Sequence, residues 1–233
     1  MIGFFFPLRF YTLPSAMMRR FLPLLIGMLL LGSGAAPSPA EQPASVETLG
    51  VGLVKPRLLT GQRLYFYSRP EDDHVPDRMT PLDSLVFGEG RHHVDIKSAP
   101  PWFWPEVMKM DYGLLLLRAR TLKKNWIEVV VNQQTGLTRW VDRQAVEFID
   151  WPTFLLDVVA VEVTDAAANP IRVKPLDHAG ILAEAPDIPL PPLAIRGSWM
   201  QVSTAEVADR MPPSGWIRWR DDDRLLIRYS LLS

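Results

Sequence analysis

The amino-acid sequence predicts an all-β fold in which two small β-barrels follow each other in tandem after a cleaved signal peptide. Two observations lead to this prediction. A set of three short, strand-forming segments occurs twice, about seventy residues apart, which is a spacing expected for small β modules. A short apolar run, with basic residues before it and small residues after it, lies near the N-terminus. The hydrophobic content of 48% suffices for a packed core.

The repeated pattern consists of a strand that begins with tryptophan, then a turn and a second strand, and finally a turn and a closing strand. Each copy is preceded by a short strand, which ends near Pro70 in the first copy and near Pro175 in the second. Alignment of the copies on their glycines places Trp140 at the position of Trp219. The matching segments are Trp126–Val129 with Trp199–Val202, Gly136–Asp142 with Gly215–Asp221, and Val146–Ile149 with Leu225–Arg228.

The N-terminal segment is typical of a secretory signal peptide. Arg19 and Arg20 precede the apolar run Phe21–Leu31, which is too short for a comfortable membrane span. Small residues follow, and cleavage after Ala35 or Ala40 fits them. We therefore expect residues 1–40 to be removed during general secretion, so that no stable membrane span remains after processing. An uncleaved N-terminal anchor is the alternative.

Charge and composition exclude several classes of function. Removal of residues 1–40, which contain Arg9, Arg19 and Arg20 and no acid, reduces 25 basic residues to 22 against 26 acidic ones, a net charge of −4. Nucleic acid is not an expected partner of such a chain, because duplex binding depends on neutralising phosphates with Lys and Arg. The sequence contains no cysteine, which excludes disulfides, thiol catalysis, cysteine-ligated zinc and a lipoprotein anchor.

The first β-barrel is expected at residues 54–150. Leu64–Tyr67 is rich in strand-favouring aromatic residues. A long insertion at residues 68–113 contains several prolines and acids, and the sequence leaves open whether it is ordered. The leucines at 114–117 fit a helix or a strand, and the repeat favours a strand. Gln133–Gly136 then predicts a hairpin turn.

The second β-barrel is expected at residues 158–233, after a connector that begins at Trp151. The run of residues 154–163 is rich in β-branched side chains and predicts the first strand of this barrel. Asp221–Asp223 lie between two candidate strands, which suits a tight turn.

Two segments of the second copy carry a family resemblance. Gly197–Val202 contains a Trp-x-x-Val strand and Ser214–Ile227 contains a Gly-Trp-Ile strand, and in this order they resemble the bacterial SH3-like (SH3b-type) domains of exported proteins. The resemblance covers residues 158–233 well and residues 54–150 more loosely, because Leu137-Thr138 replaces Trp-Ile in the first copy. It implies small β-barrels that act as binding or spacer modules near the cell wall, in the periplasm or outside the cell, and it does not imply catalysis.

Aromatic side chains are the best candidates for ligand contacts. Small β-barrels often bind extended peptides or glycans in a groove edged by Tyr and Trp, although core packing is the alternative role for each. Strand alternation predicts that Tyr65 and Tyr67 share one face. Trp216 and Trp219 lie three positions apart, so we expect one of them to be exposed or at a contact between domains. The candidates are Tyr65, Tyr67, Trp102, Trp104, Trp140, Trp216 and Trp219.

The leading hypothesis is an exported, non-enzymatic binding protein of the bacterial cell envelope that recognises a peptide, glycan or protein partner. Cell-wall peptidoglycan or an envelope protein is the expected partner, and the sequence predicts no cofactor, metal site or catalytic residue. An alternative is an envelope hydrolase or a metal-binding protein that uses acids and histidines of the insertion. A third hypothesis is a structural module whose domains pack through a large apolar interface. The candidate residues of the alternative are Asp73, His74, His92 and His93.

Overall fold

Strands form most of the described part of the chain. A computed structural model describes residues 48–71, 74–91, 93–205 and 212–232. The predicted all-β class is confirmed as a mostly β-sheet fold, and the described strands form open sheets rather than a closed barrel. The predicted signal peptide, residues 1–40, lies outside the described residues.

Nine strands precede the α-helix of the described chain and seven follow it. The strands before the helix are β1 (Gly52–Pro56), β2 (Arg63–Phe66), β3 (Asp83–Glu89), β4 (Val94–Ser98), β5 (Val107–Lys109), β6 (Leu114–Leu122), β7 (Trp126–Asn132), β8 (Leu137–Asp142) and β9 (Val146–Asp150). Helix α1 (Trp151–Asp157) is followed by β10 (Ala160–Val163), β11 (Ile171–Arg172), β12 (Ile181–Ala183), β13 (Pro192–Arg196), β14 (Trp199–Ser203), β15 (Ser214–Arg218) and β16 (Ile227–Ser230). Short 3-10 helices span Pro76–Arg78, Met110–Tyr112 and Arg143–Ala145.

The N-terminal half of the fold, residues 48–150, contains two sheets. The main sheet has the neighbour order β8-β7-β6-β1-β9, and β5 pairs with β6. Strands β2, β3 and β4 form a smaller antiparallel sheet. An isolated bridge between Tyr67 and Trp140 attaches the end of β2 to the free edge of β8. The predicted insertion at 68–113 therefore contributes β3, β4 and β5 to the fold.

The C-terminal half, residues 151–232, contains a sheet of order β12-β11-β15-β14-β13 and the strand pair β10-β16. A bridge between Val161 and Leu190 joins β10 to the segment that enters β13, with backbone hydrogen bonds of 2.9 and 2.8 Å. Strand β11 meets β15 where Arg172 lies opposite Trp216. The segment between β10 and β13 therefore returns to the edge of β15.

Helix α1 corrects the strand predicted for residues 154–163. The chain is helical from Trp151 to Asp157, and β10 begins only at Ala160. The Asp150 carboxylate accepts a hydrogen bond from the backbone N–H of Thr153 at 2.8 Å, which caps the helix, and a proline lies in its first turn. No helix in the described chain is both long enough and apolar enough to cross a membrane.

Three local predictions are confirmed. The leucines at 114–117 lie in strand β6. Gln133–Gly136 connects β7 to β8, and Gly136 has a φ of 69°, which is a conformation that favours glycine. Asp221–Asp223 lie in a tight turn, which is closed by a bridge between Arg220 and Leu225.

The hydrophobic core crosses the boundary between the two halves. Leu53 and Leu116 contribute to one buried cluster from the N-terminal half, and Val161, Ile217 and Trp219 contribute to it from the C-terminal half. A second cluster lies within the N-terminal half. All described residues belong to one compact unit. The shared cluster is the kind of apolar interface that the structural-module hypothesis expects.

Candidate functional site

The seven aromatic candidates lie at several separate places. Tyr65 and Trp104 are 42% and 56% exposed. Trp102 is half-buried and packs edge-on against Phe66, with ring centroids 5.3 Å apart. The other four offer little surface to a ligand because their side chains are buried: Tyr67, Trp140, Trp216 and Trp219.

Tyr65 and Tyr67 differ in exposure, so their two rings do not offer a common aromatic surface to a ligand. Strand β2 ends at Phe66. The Tyr67 N–H donates to the Trp140 carbonyl at 2.8 Å, and the Trp140 N–H donates to the Tyr67 carbonyl at 3.1 Å. The Tyr67 ring lies against Trp126, with centroids 5.0 Å apart. Tyr67 is therefore buried on β8 while Tyr65 remains exposed.

Neither Trp216 nor Trp219 is exposed, so exposure is not the alternative that the fold adopts. The Trp219 side chain lies in the cluster shared by the two halves, and its indole N–H donates to the Gly197 carbonyl at 2.9 Å. Trp219 therefore occupies the other expected place, a contact between the halves. Trp216 belongs to strand β15 and does not join that cluster.

The strand register matches the two copies differently from the sequence alignment. Trp126 begins β7, and Trp140 lies two residues before the ladder partner of Trp126. Trp199 begins β14, and Trp216 lies two residues before the ladder partner of Trp199. The residue equivalent to Trp140 is therefore Trp216 and not Trp219. The alignment on glycines is displaced because Gly136 lies in the turn before β8, whereas Gly215 lies within β15.

In the N-terminal half, the chain itself covers this pair of tryptophans. The Tyr67 ring packs on Trp126, and the Tyr67 backbone pairs with Trp140. The Trp126 indole N–H donates to the His74 carbonyl oxygen at 2.9 Å. Met79 packs against the same cluster. Lys123 Nζ lies 5.1 Å from the ring centroid of Trp140. An aromatic ring, a backbone carbonyl, a thioether and one ammonium group thus close this face.

In the C-terminal half, arginine side chains cover the equivalent pair. Trp199 and Trp216 project from the outer side of the sheet, because the alternate residues of β14 and β15 point into the core. The Arg218 guanidinium carbon lies 4.8 Å from the ring centroid of Trp199. The Arg196 guanidinium carbon lies 5.4 Å from that of Trp216. We call these four residues the Trp/Arg face.

The loop between β11 and β12 adds a third arginine and an acid to the Trp/Arg face. Arg172 lies opposite Trp216 in the ladder, and its Nη1 donates to the Ala179 carbonyl at 2.8 Å. Asp177 accepts hydrogen bonds from Nε and Nη2 of Arg218, the former at 3.0 Å. The Asp177 side chain is 71% exposed. Three guanidinium groups therefore share this surface with one exposed carboxylate.

The arginine contacts stabilise the charged form of Asp177. Hydrogen bonding from Arg218 lowers the Asp177 pKa below its usual value of 3.8, and the positive charges of Arg218 and Arg172 act in the same direction. Water and salt screen the pair because Asp177 is exposed, so its contribution to stability is small. A carboxylate from outside the chain can therefore replace Asp177 at Arg218 with little loss of stability.

A second polar cluster lies between the two halves, beside a cavity of about 520 Å³. Arg118 Nη2 lies 2.9 Å from Glu106 Oε2, and the two side chains are only 8% and 11% exposed. The Tyr229 hydroxyl donates to Glu106 Oε1 at 2.8 Å. This cluster ties the loop before β5 to the last strand of the chain, so we assign it to holding the halves together.

The described histidines of the insertion have separate surroundings. His74 Nε2 lies 3.5 Å from a glutamate carboxylate. His93 lines a surface depression together with Glu147. Within the ranges that the structure describes, no group of three or more side chains has the arrangement of a metal site. Asp73 and His92 lie outside the described residues.

Three residues of the Trp/Arg face are absent from the site predicted by sequence, namely Trp199, Arg196 and Arg218. Strand alternation is the sequence signal that could have identified two of them, Arg218 and Trp199. Arg218 follows Trp216 by two positions on β15, so both project from the same side. Trp199 lies opposite Arg218 on the neighbouring strand and therefore shares that side.

No family model, curated protein or solved structure matches this chain. Its own contacts define it as a mostly β-sheet protein with a basic, aromatic face on its C-terminal sheet. The resemblance to SH3-like domains rests on the sequence segments alone.

Proposed function

We propose that this chain is an exported, non-enzymatic binding protein of the bacterial cell envelope, built from two SH3-like units. Its ligand, a peptide, glycan or protein, binds at the Trp/Arg face. The observation that carries this proposal is the pair of indole rings on the outer side of the C-terminal sheet, 9% and 7% exposed, on which the guanidinium carbons of Arg218 and Arg196 lie 4.8 and 5.4 Å from the ring centroids.

The strand order of the two halves supports two related units. In the N-terminal half the order is β9-β1-β6-β7-β8, and the end of β2 adds to β8. In the C-terminal half β16 pairs with β10, and a bridge at Leu190 links β10 to the segment that enters β13. Strands β13, β14 and β15 then follow in order, and β11 adds to β15. In both halves the first strand pairs with the last strand, and a segment that follows the first strand pairs with the second-to-last strand.

The chemistry of the Trp/Arg face suits recognition. Indole rings offer a large, rigid contact area at low entropic cost. Guanidinium groups stack on indoles and also form paired hydrogen bonds with carboxylates, so one side chain contributes both kinds of contact. Tryptophan and arginine are also the residues that most often dominate binding energy at protein interfaces.

The cell-envelope location rests on the N-terminal sequence. Arg19 and Arg20, the apolar run Phe21–Leu31 and the small residues after it favour export. A chain without cysteine keeps no thiol that an oxidising compartment would modify. Peptidoglycan and envelope proteins are the partners that such a location makes accessible.

Co-sedimentation with isolated peptidoglycan sacculi tests the wall-binding form of the proposal. Purified residues 41–233 are mixed with sacculi at low and high salt. Pelleting that persists at high salt and is lost in Trp216→Ala supports wall binding through the Trp/Arg face. Pelleting that disappears at high salt indicates nonspecific charge contact instead, because salt screens exposed charges.

Cross-linking in intact cells tests the protein-partner form. A photoreactive residue replaces Gln201, which lies opposite Trp216 on the outer side of the sheet. The matched control carries the same residue at Leu59, which is 53% exposed in the N-terminal half. A product formed from position 201 and not from position 59 supports the proposal. Failure of both this experiment and the sacculus experiment contradicts it.

A further inference from the structure

We infer that the occupant of the Trp/Arg face is an extended, acidic segment of a partner polypeptide that carries an aromatic residue. This inference rests on the proposed function, because it names the ligand class of the same site. The Trp126/Trp140 pair and the Trp199/Trp216 pair have the same strand register but are covered by different groups.

The N-terminal half shows which chemistry fits such a pair of indoles. There the occupant is a loop segment of the chain itself, which contacts the pair through the Tyr67 ring, the His74 carbonyl and Met79. The segment supplies a ring at 5.0 Å from Trp126 and a backbone carbonyl at 2.9 Å from the indole nitrogen. A peptide therefore satisfies the face through its backbone as well as its side chains.

The C-terminal half shows why the occupant is acidic. Arg172, Arg196 and Arg218 surround the two indoles, and Asp177 is the carboxylate bound among them. Asp177 forms its hydrogen bonds to Arg218 from an exposed loop. It thus marks the position that a carboxylate of the partner takes, with Arg218 turning from one carboxylate to the other.

The length of the face fits a short extended peptide. Trp199, Gln201 and Ser203 lie on the same side of β14, because side chains alternate along a strand. This row spans about 13 Å at roughly 3.3 Å per residue, which matches about four residues of extended chain. The amide of Gln201 and the hydroxyl of Ser203 supply hydrogen-bonding groups along it.

A synthetic peptide with the sequence of residues 64–79 is a suitable probe. It contains three aromatic residues, Tyr65, Phe66 and Tyr67. Its acids are Glu71, Asp72, Asp73 and Asp77, against Arg69 and Arg78, so its net charge is −2 with His74 neutral. Binding of the fluorescently labelled peptide to residues 41–233 is followed by anisotropy. A second peptide carries Gln and Asn in place of the four acids.

The expected result is binding that depends on the acids of the peptide and on the arginines of the face. The double variant Arg196→Gln/Arg218→Gln should weaken binding by about tenfold or more, the scale of a charge-assisted hydrogen-bonded pair. Arg139→Gln is the matched control, because Arg139 stacks on Trp102 at 5.3 Å in the other half, and it should change affinity by less than about twofold. The neutral peptide should bind about tenfold more weakly than the acidic one.

Asp177→Asn provides a test that misfolding cannot imitate. It removes the carboxylate that competes for Arg218, so the acidic peptide should bind severalfold more tightly while the neutral peptide gains nothing. Equal affinity for both peptides, or weaker binding of the acidic peptide to Asp177→Asn, overturns the inference. Binding of an uncharged N-acetylglucosamine oligomer at this face in place of the peptide also overturns it.

The two proposals fail in different ways. Cross-linking from position 201 in cells, together with no binding of the acidic peptide, leaves the binding function standing and rejects the acidic polypeptide as ligand. Absence of cross-links and of sacculus binding rejects the binding function itself.

Discussion

A pair of tryptophans at equivalent ladder positions is shielded from water in two different ways in this molecule. In the N-terminal half an aromatic ring and a methionine cover most of the pair, and the Lys123 ammonium lies over Trp140. In the C-terminal half guanidinium groups cover it. An apolar cover adds to the core, whereas a guanidinium cover keeps charge at the surface and is held by flexible side chains. Because of this difference between residues, we propose the C-terminal face as the binding surface.

Trp219 is expected to be one of the most important residues for stability. Its side chain is 1% exposed and lies in the cluster shared by both halves. Trp219→Ala should lower the free energy of unfolding by about 3–5 kcal/mol, because it removes a large buried side chain and leaves a cavity. Trp104→Ala is the control and should change it by less than about 0.5 kcal/mol, since Trp104 is 56% exposed. Urea unfolding measures both, and equal losses would contradict the assignment.

Tyr67 should make stability depend on alkaline pH. Burial, followed by the negative charge of Asp142, raises the Tyr67 pKa above its ordinary value of 10.0. The folded state therefore holds this proton more tightly than the unfolded state, so the contribution to stability is complete below pH 10 and falls as pH rises through the folded pKa. Tyr67→Phe should reduce the loss of stability between pH 9 and about pH 11, measured by urea unfolding at each pH.

Tyr112→Phe is the matched control for the alkaline experiment. Tyr112 is 65% exposed, so removal of its hydroxyl should leave the pH dependence of unfolding as it is in the unchanged chain. The assignment to Tyr67 fails if Tyr67→Phe retains the full alkaline loss, or if both variants reduce it equally.

At the scale of elements, helix α1 shows how local and long-range signals compete. The apolar, β-branched run 154–163 predicts a strand, but its first residues complete a helix that Asp150 caps. Trp151, Phe154 and Leu155 are the buried residues of α1, spaced so that they lie on one side of a helix. The sequence signal for this helix is the capping residue Asp150 with Pro152 in the first helical turn.

Gly215 provides a test of the strand register. It lies within β15, and a Cβ added there would be 2.2 Å from Cγ2 of Ile171, which is fully buried. Gly215→Ala should therefore destabilise the fold by about 1–3 kcal/mol through overpacking. Gly180→Ala is the control, because its Cβ would meet only Val173 Cγ2 at 3.8 Å. Thermal unfolding that shows no difference between the two variants would argue against this register.

Gly136, the partner of Gly215 in the sequence alignment, has a different role. It lies in a turn with a φ of 69° and not in the interior of a strand. The same residue type thus serves a backbone conformation in one copy and a close side-chain approach in the other. An alignment on glycines alone does not separate these two roles.

At the scale of the whole molecule, the two halves are coupled by apolar and polar contacts. Leu53 and Leu116 share a buried cluster with residues of the C-terminal half. Arg118, Glu106 and Tyr229 add a polar connection across the same boundary. We expect the halves to unfold together, because neither buries this surface without the other.

Glu106→Gln should destabilise the protein by about 3–5 kcal/mol. The substitution removes one charge of a pair that is 8% and 11% exposed, so the largely buried Arg118 guanidinium loses the Glu106 carboxylate. Glu162→Gln is the control and should cost less than about 1 kcal/mol, because its pair with Arg228 is longer, at 3.8 Å, and more exposed. Chemical unfolding followed by tryptophan fluorescence distinguishes them. A cost for Glu106→Gln no larger than that of the control would show that the pair does not couple the halves.

Sequence reasoning located most strands and turns of the described chain but only part of the candidate site. The leucine strand and the turn glycine Gly136 followed from propensity and turn chemistry. Trp216 was named as a candidate, whereas Trp199 and the two stacked arginines were not. An arginine joins this site only because strand pairing places it beside a tryptophan of a neighbouring strand. Such pairing joins residues that are distant in sequence, so local sequence patterns do not reveal it.

Strand content and turn positions follow from interactions between residues that are close in sequence, so propensity and turn chemistry are sufficient to predict them. The equivalence of Trp140 with Trp216, the burial of Trp219 and the shared core were decided by contacts between distant segments. Glu106 and Tyr229, for example, are 123 positions apart. Contacts of this kind depend on which strands pair and in which register, and that choice is made by the packing of the whole chain.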